Sequence, residues 1–113
     1  MELGTNEESI QPYAFLLYLP PCEQIPTSFE SYQEAISYVR DATFKIEEGV
    51  TTYKSSWIKR IEYYSCDGDT GYLIMTLKSS KEYIHKGLPI EVWIKFKDDE
   101  SYGSFYNEKI KRR

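Results

Sequence analysis

The sequence predicts one α+β domain, in which a helix packs on an antiparallel β-meander and a strand–helix extension precedes both. Its 113 residues, 41% apolar and 28% charged, have the length and balance of a single globular domain. Apolar residues recur at helical spacing before residue 40, and from Thr51 the pattern changes to that of β-strands. This change of period within one short chain indicates the α+β class.

Composition excludes several classes of protein. The longest apolar run, Ala14–Leu19, is far shorter than the ~20 residues of a transmembrane helix, and the polar first ten residues do not resemble a signal peptide. Cys22 and Cys66 are too few for a disulfide framework and lack CxxC spacing. We therefore expect reduced thiols, a cytoplasmic location and no contact with a membrane.

The N-terminal half predicts a strand followed by a helix. The short apolar and aromatic segment Tyr13–Leu19 is typical of a strand, and the prolines that follow it form a stiff loop. Thr27–Glu30 has the spacing of a capping box, so the helix is expected to begin there and to end near Ala42 or Thr43, with Gly49 in the turn beyond. Its apolar stripe consists of Phe29, Tyr32, Ile36 and Val39.

The segment Tyr53–Tyr64 predicts the first strand of the meander. It is rich in aromatic and β-branched residues. Ile58 and Ile61 have opposite parity, so one of them would face the wrong side of a regular strand. A β-bulge near Lys59–Arg60 would bring both onto one face.

Two further strands follow after short turns. Asp67–Gly71 predicts a hairpin turn, and Tyr72–Leu77 alternates so that its leucines and methionine share one face. Lys78–Lys81 predicts a second tight turn, and Glu82–Lys86 predicts the last strand. Leu73, Met75 and Leu77 lie on one face of the middle strand, and Tyr83 and His85 share a face of the last one.

A helix is expected to cover the meander. Pro89 suits the first turn of a helix, and the acidic run Asp98–Glu100 is expected to end it. Ser101–Ile110 predicts a turn and a short helix before a basic tail. The apolar positions of the long helix are Ile90, Val92, Trp93, Ile94 and Phe96.

From Ser55 onward, the residues resemble the KTSC domain, a small module named for its occurrence at the C-terminus of some lysyl-tRNA synthetases and also found in stand-alone bacterial proteins. Ser55–Tyr63 follows the opening Ser-x-x-Ile-x-x-Ile-x-Tyr pattern of that family, and Tyr83–His85 stands where the family has Tyr-x-Tyr. The remaining matches are Leu73, Met75 and Leu77 in the middle strand, Pro89, Val92, Trp93 and Phe96 in the helix, and Ser101, Gly103, Phe105, Tyr106, Asn107 and Ile110 at the end.

The chain departs from that pattern at several positions. His85 replaces the second tyrosine, the turn at Ser79–Ser80 lacks the usual glycine, and Asp99 stands where a small apolar residue is common. Residues 1–50 have no counterpart in the pattern. The resemblance implies a compact KTSC-like α+β domain at 51–113. The residues of 1–50 themselves predict an acidic strand–helix extension packed on the same domain. The resemblance also implies RNA binding, the usual suggestion for this family, which is drawn from the domains that accompany it.

The net charge also differs between the two parts of the chain, residues 1–50 and residues 51–113. Residues 1–50 carry nine acidic and two basic side chains, a net charge of −7, whereas residues 51–113 carry nine acidic and twelve basic ones, a net charge of +3. Such asymmetry is typical of a polyanion-binding segment beside an acidic one, although solvated surfaces also carry uneven charge. Under the first interpretation the acidic half screens the basic half from RNA.

No catalytic or metal-binding constellation is recognisable, so we expect a protein that is not an enzyme and needs no cofactor. The chain has one histidine, and no local motif pairs it with a nucleophile. One histidine and two distant cysteines do not supply a zinc site, and Asp67–Asp69 lacks the remaining ligands of a calcium loop.

Nucleic acid is the leading expected ligand. Aromatic rings on a sheet stack on bases while nearby cations contact phosphates. One alternative is that Tyr83 and His85 are core residues. Another is that the aromatic-rich chain is a protein-interaction or regulatory module, either with a partner or as a dimer, in which Tyr13, Phe15 and Tyr18 form an interface or part of the core. The candidate nucleic-acid-binding residues are Lys81, Tyr83, His85, Lys86, Lys109, Lys111, Arg112 and Arg113.

Overall fold

A four-stranded antiparallel sheet with the strand order β1-β2-β3-β4 forms the centre of the molecule. The structure is a computed structural model, and it describes residues 19–113. The strands are β1 (Ile46–Thr51), β2 (Ile58–Ser65), β3 (Thr70–Leu77) and β4 (Glu82–Pro89). The helices are a short 3-10 helix (Cys22–Gln24), α1 (Tyr32–Arg40), α2 (Ile90–Asp98) and α3 (Tyr102–Phe105), which continues into a π-helical turn (Tyr106–Ile110).

The larger core lies between the sheet and the C-terminal helices. Tyr63 and Trp93 stack with ring centroids 5.2 Å apart. The Tyr63 hydroxyl donates a hydrogen bond of 2.7 Å to the Leu88 carbonyl, so this hydroxyl is buried with its hydrogen bond satisfied. The buried members of the core are Ile58, Ile61, Tyr63, Leu73, Met75, Leu88, Trp93, Phe96, Tyr106 and Ile110.

A smaller core lies on the opposite face, beneath α1. Ile36 and Val39 of the helix are buried against Ile74 of β3. The predicted alternation of β3 is therefore confirmed, because Leu73 and Met75 enter one core and Ile74 enters the other. The sheet is covered on both faces, and the predicted α+β class with helices packed on an antiparallel meander is correct.

An arginine fastens α1 to the sheet. Arg40 Nη2 lies 2.6 Å from Glu62 Oε2 and 2.7 Å from Glu82 Oε2, so one guanidinium joins strands β2 and β4 to the helix. The Tyr64 hydroxyl donates a further hydrogen bond of 2.6 Å to Glu62, which is buried. The hydrogen bond from Arg40 holds the pKa of Glu82 below its ordinary value. We call this set of contacts the Arg40 clamp.

Local sequence signals gave some elements correctly and misplaced others. The bulge in β2 is confirmed, because the register shifts between Ile58 and Arg60 and both Ile58 and Ile61 are fully buried. The helix cap is displaced from its predicted place: the Ser31 side chain, rather than Thr27, accepts the hydrogen bond from a backbone N–H of α1. The predicted strand at 13–19 lies outside the described residues, except for Leu19.

The last strand, β4, is longer than predicted because a second bulge lies in its pairing with β3. The register shifts between Gly71 and Leu73, and Gly87 opposite this point has φ +76°, which a residue without Cβ adopts easily. Gly87 therefore forms part of a bulge, and β4 continues to Pro89 instead of ending. Strand β1 was not predicted at all, because we placed a turn at Gly49, which pairs with Glu62 of β2.

The expectation of two reduced cysteines is wrong. Cys22 and Cys66 form a disulfide with Cα atoms 5.8 Å apart, and this bond joins the loop before α1 to the β2–β3 hairpin. The Cys22 N–H also donates to the Thr43 carbonyl at 3.0 Å, so the loop is fixed beside the start of β1. The inference of a cytoplasmic location from free thiols therefore loses its basis.

We predict that replacing both cysteines by serine lowers the stability of the oxidised protein. The disulfide joins residues separated by 44 positions, and closing a loop of that length is worth about 3–5 kcal/mol, chiefly by restricting the unfolded chain. Urea unfolding of the wild type and of Cys22→Ser/Cys66→Ser measures this difference. A reductant should destabilise the wild type and leave the double variant unchanged, and equal stability of the two oxidised proteins would contradict the pairing.

Candidate nucleic-acid interface

Four of the eight predicted site residues lie along β4 or just before it. Lys81 and Lys86 are exposed, whereas Tyr83 and His85 are half-buried. Tyr83 packs against the larger core from the edge of the sheet, opposite Met75 of β3. Tyr83 therefore contributes to the core and also presents part of its ring to solvent.

His85 is held in place by the C-terminal π-helical turn. Its Nε2 atom lies 2.8 Å from the Tyr106 hydroxyl, and the two rings meet nearly edge to face, with centroids 5.4 Å apart. Burial lowers the pKa of His85 below its ordinary value, because desolvation disfavours the imidazolium form. His85 is therefore neutral at pH 7 and adds no positive charge to the interface.

The other four predicted residues, Lys109, Lys111, Arg112 and Arg113, are exposed beside the buried anchor Ile110. Together with Lys81 and Lys86 they make six exposed cations, and none of the six forms an ion pair with an acidic side chain within residues 19–113. The Lys86 ammonium donates a hydrogen bond of 3.1 Å to the Thr27 carbonyl, so it is partly oriented by the loop before α1.

A shallow groove of about 560 Å³ opens beside Tyr83, between the start of α1 and the β3–β4 turn. Tyr32 forms one wall, and its ring lies 5.8 Å from that of Tyr83 at an interplanar angle of 74°. Sequence reasoning placed Tyr32 in the apolar stripe of the helix, yet 53% of it is exposed. The groove, called the hairpin groove below, is lined by Tyr32, Gln33, Ser79, Ser80, Lys81, Glu82 and Tyr83.

A second, larger groove of about 860 Å³ separates the β1–β2 loop from the connection between α2 and α3. Sequence reasoning did not identify it, because the two segments are far apart in the chain. Tyr53 on this loop is 90% exposed, and Lys97–Glu100 lies on the other side. We call it the α2–α3 groove, and four of its lining residues belong to the family pattern noted above: Ser55, Ser101, Gly103 and Asn107.

Those family-pattern residues shape the walls of the α2–α3 groove. The Ser55 hydroxyl accepts from the backbone N–H groups of Trp57 and Ile58 at 3.2 and 2.9 Å, which fixes the loop before β2. A Cβ atom on Gly103 would lie 2.5 Å from Trp57 Nε1, so a side chain at 103 would displace the indole. The Ser-x-Gly sequence at 101–103 thus has two structural roles. Ser101 caps the N-terminus of α3, and Gly103 leaves room for the indole of Trp57.

Two groups of residues have side chains that could bind a metal ion, and both have structural roles here: Asp67 shapes a hairpin turn, and Cys22 and Cys66 form the disulfide. Asp67 Oδ1 accepts from the backbone N–H groups of Asp69 and Thr70, which lowers the pKa of this carboxyl and defines a turn. Cys22, Glu23 and Cys66 converge within 4.8 Å, but both sulfurs are consumed by the disulfide. Among residues 19–113, none of the helices is long and apolar enough to cross a membrane.

The molecule is thus a small α+β domain, with a meander between α1 and the C-terminal helices and grooves at two of its edges. Residues 54–113, more than half of the chain, match the KTSC domain. The chain belongs to the KTSC domain family. No curated protein and no solved structure matches it.

We predict that His85 makes the protein less stable as the pH falls from 7 to 5. The folded pKa of His85 is below the ordinary value of 6.5, so the unfolded chain binds more protons and stability is lost below that value, with a slope of at most about 1.4 kcal/mol per pH unit. Glu48, Asp67 and Glu82 have lowered pKa values, so their contributions are lost only below about pH 4.5.

Urea unfolding between pH 5 and pH 7.5 tests this dependence, because the chain has a single histidine. His85→Gln should flatten the profile in this range, while Tyr106→Phe, which keeps the ring that buries His85, should retain most of the slope. An NMR titration midpoint of the wild-type imidazole at or above 6.5 would contradict the prediction.

Proposed function

We propose that this protein is a small non-enzymatic module that binds single-stranded RNA or another single-stranded nucleic acid. The observation that carries the proposal is that the six exposed cations of the predicted interface have no acidic partners in residues 19–113, and that two of them flank the half-exposed rings of Tyr83 and His85. Cations that contact phosphates, next to rings that contact bases, are the usual elements of a surface for single strands.

The charges around β4 favour a polyanion. Glu82 is the acidic residue nearest in sequence to Lys81 and Tyr83, and its carboxylate is already engaged by Arg40 and by the Thr76 hydroxyl at 2.9 Å. Arg40 is shared with Glu62, and Arg60 Nε lies 3.7 Å from the same Glu62, so the two arginines balance the two glutamates. The charge of Glu82 is therefore compensated within this set and does not oppose a phosphate at Lys81. Six cations support binding of moderate affinity, with a slope of log affinity against log salt of at most about 4, since each phosphate contact adds ~0.7.

Several contacts support a role without catalysis. The one imidazole of the chain is hydrogen-bonded to Tyr106 and half-buried, and both thiols are joined in the disulfide. General acid–base catalysis needs a group free to exchange a proton with a substrate, and nucleophilic catalysis needs an activated side chain next to a base. The arrangement of His85 and the cysteines is typical of structural groups.

We predict that neutralising the basic tail weakens RNA binding and its salt dependence. In Lys109/Lys111/Arg112/Arg113→Gln, each lost phosphate contact should reduce the slope of log affinity against log salt by ~0.7, up to about 3 for four contacts. Fluorescence anisotropy with a labelled oligouridylate at several salt concentrations measures the slope.

The matched control for this variant is Lys45/Lys54/Lys59/Lys95→Gln, which removes the same charge from four other exposed positions. The control should keep most of the affinity. Equal losses in the two variants would show that net charge alone attracts the RNA, and failure of the wild type to bind at low salt would exclude the proposed function.

A second candidate function is protein interaction, favoured by Tyr53. This residue is 90% exposed on a loop whose backbone is fixed by the Thr52 and Ser55 side chains, and exposed aromatic rings are common at interface centres. Under this alternative, the α2–α3 groove is the contact surface of a second copy of the chain.

Sedimentation equilibrium tests the alternative. A dimer whose dissociation constant rises at least tenfold in Tyr53→Ser, and is unchanged in Tyr38→Ser on the other side of the sheet, would support self-association. A monomer at all concentrations would exclude it. The two candidate functions differ in the effect of salt, since burial of aromatic rings depends on ionic strength far less than phosphate contacts do.

A further inference from the structure

We propose that the hairpin groove holds one unpaired nucleobase, stacked on Tyr32 and hydrogen-bonded by Gln33. This inference rests on the proposed function and names the part of the ligand that the groove receives. It also places the recognition element before the family-matched region, because Tyr32 and Gln33 precede residue 54. Helix α1 would then supply base contacts while the rest of the surface contacts phosphates.

Tyr32 has the position of a stacking platform. It is the first residue of α1, and 53% of it is exposed. Its edge-to-face contact with Tyr83 fixes the ring without using both of its faces. A side chain that is already oriented loses little conformational freedom when a base stacks on it, so binding is favoured.

The other walls of the groove carry groups that suit a base edge. The Gln33 side-chain amide is exposed beside Tyr32 and offers both donors and an acceptor, and the Ser79 and Ser80 hydroxyls stand on the other side. Ser80 has φ +78° in the tight turn, and its N–H donates to the Leu77 carbonyl at 2.9 Å, so the turn has a defined shape. The volume of about 560 Å³ is within the ~300–1,000 Å³ of small-ligand sites.

The charge pattern commits the groove to a nucleotide rather than to a neutral aromatic group. Lys81 lines the groove and is exposed, without an acidic partner in residues 19–113, whereas Glu82 is held by Arg40 Nη2 at 2.7 Å. Arg40 and Arg60 together balance Glu62 and Glu82, which leaves the Lys81 ammonium as the uncompensated charge of the groove. A base in the groove would place its flanking phosphate within the field of the Lys81 ammonium.

The experiment compares an oligouridylate with an abasic oligonucleotide of equal length, which has the same phosphates and no bases. The wild type should prefer the oligouridylate, and Tyr32→Ala should lose roughly 10- to 100-fold in affinity for it while binding the abasic strand as before. The salt slope of Tyr32→Ala should equal that of the wild type, because no phosphate contact is removed.

Two variants control for folding and for the loss of any surface tyrosine. Tyr32→Phe keeps the stacking ring and should retain the preference, and Tyr38→Ala removes a 45%-exposed tyrosine of the same helix that contacts Phe29 instead of the groove. Gln33→Ala should weaken binding of the base-containing strand only.

Different failures identify different errors. Wild-type protein that binds both strands equally, or Tyr32→Ala that binds oligouridylate as the wild type does, would overturn the base site and leave the phosphate-binding surface standing. Wild-type protein that binds neither strand at low salt would overturn the base site together with the proposed function.

Discussion

The arrangement of the molecule depends on the Arg40 clamp. A helix of nine residues has little stability alone, and α1 buries only a small core against the sheet. Arg40 compensates by joining the end of α1 to β2 through Glu62 and to β4 through Glu82, across the intervening strand β3. Because Glu62 is buried, loss of Arg40 would leave a desolvated carboxylate with only the Tyr64 hydroxyl and the more distant Arg60 as partners.

The same clamp determines the chemistry of the hairpin groove. It holds α1 against β4, so that Tyr32 at the first turn of the helix reaches the ring of Tyr83. It also engages Glu82, so the groove is positive at Lys81 although an acidic residue is its neighbour. The disulfide supports this arrangement from the other side, since Cys22 precedes α1 and Cys66 belongs to the β2–β3 hairpin.

The sequence predicted those features that depend on neighbouring residues. The bulge in β2 follows from the parity of Ile58 and Ile61, and the alternation of β3 follows from its own residues. Features that depend on distant contacts were missed: β1 is recognisable only through its pairing with β2, and the disulfide requires two loops to meet. Tyr32 fitted an apolar stripe by spacing, but it lies beside Tyr83 of edge strand β4 and is left half exposed.

The sequence left open whether Tyr83 and His85 belong to the core or to a binding surface. In this fold, each of them belongs partly to both. Both lie on edge strand β4, where one side of a ring packs inward and the other meets solvent. Tyr83 adjoins the larger core while lining the hairpin groove, and His85 is fixed by Tyr106. Substituting either residue therefore changes stability as well as surface. Residues whose substitution changes binding without changing stability must lie outside the core. In the described part of the chain, these are Tyr32, with its exposed ring, and the exposed cations of the predicted interface.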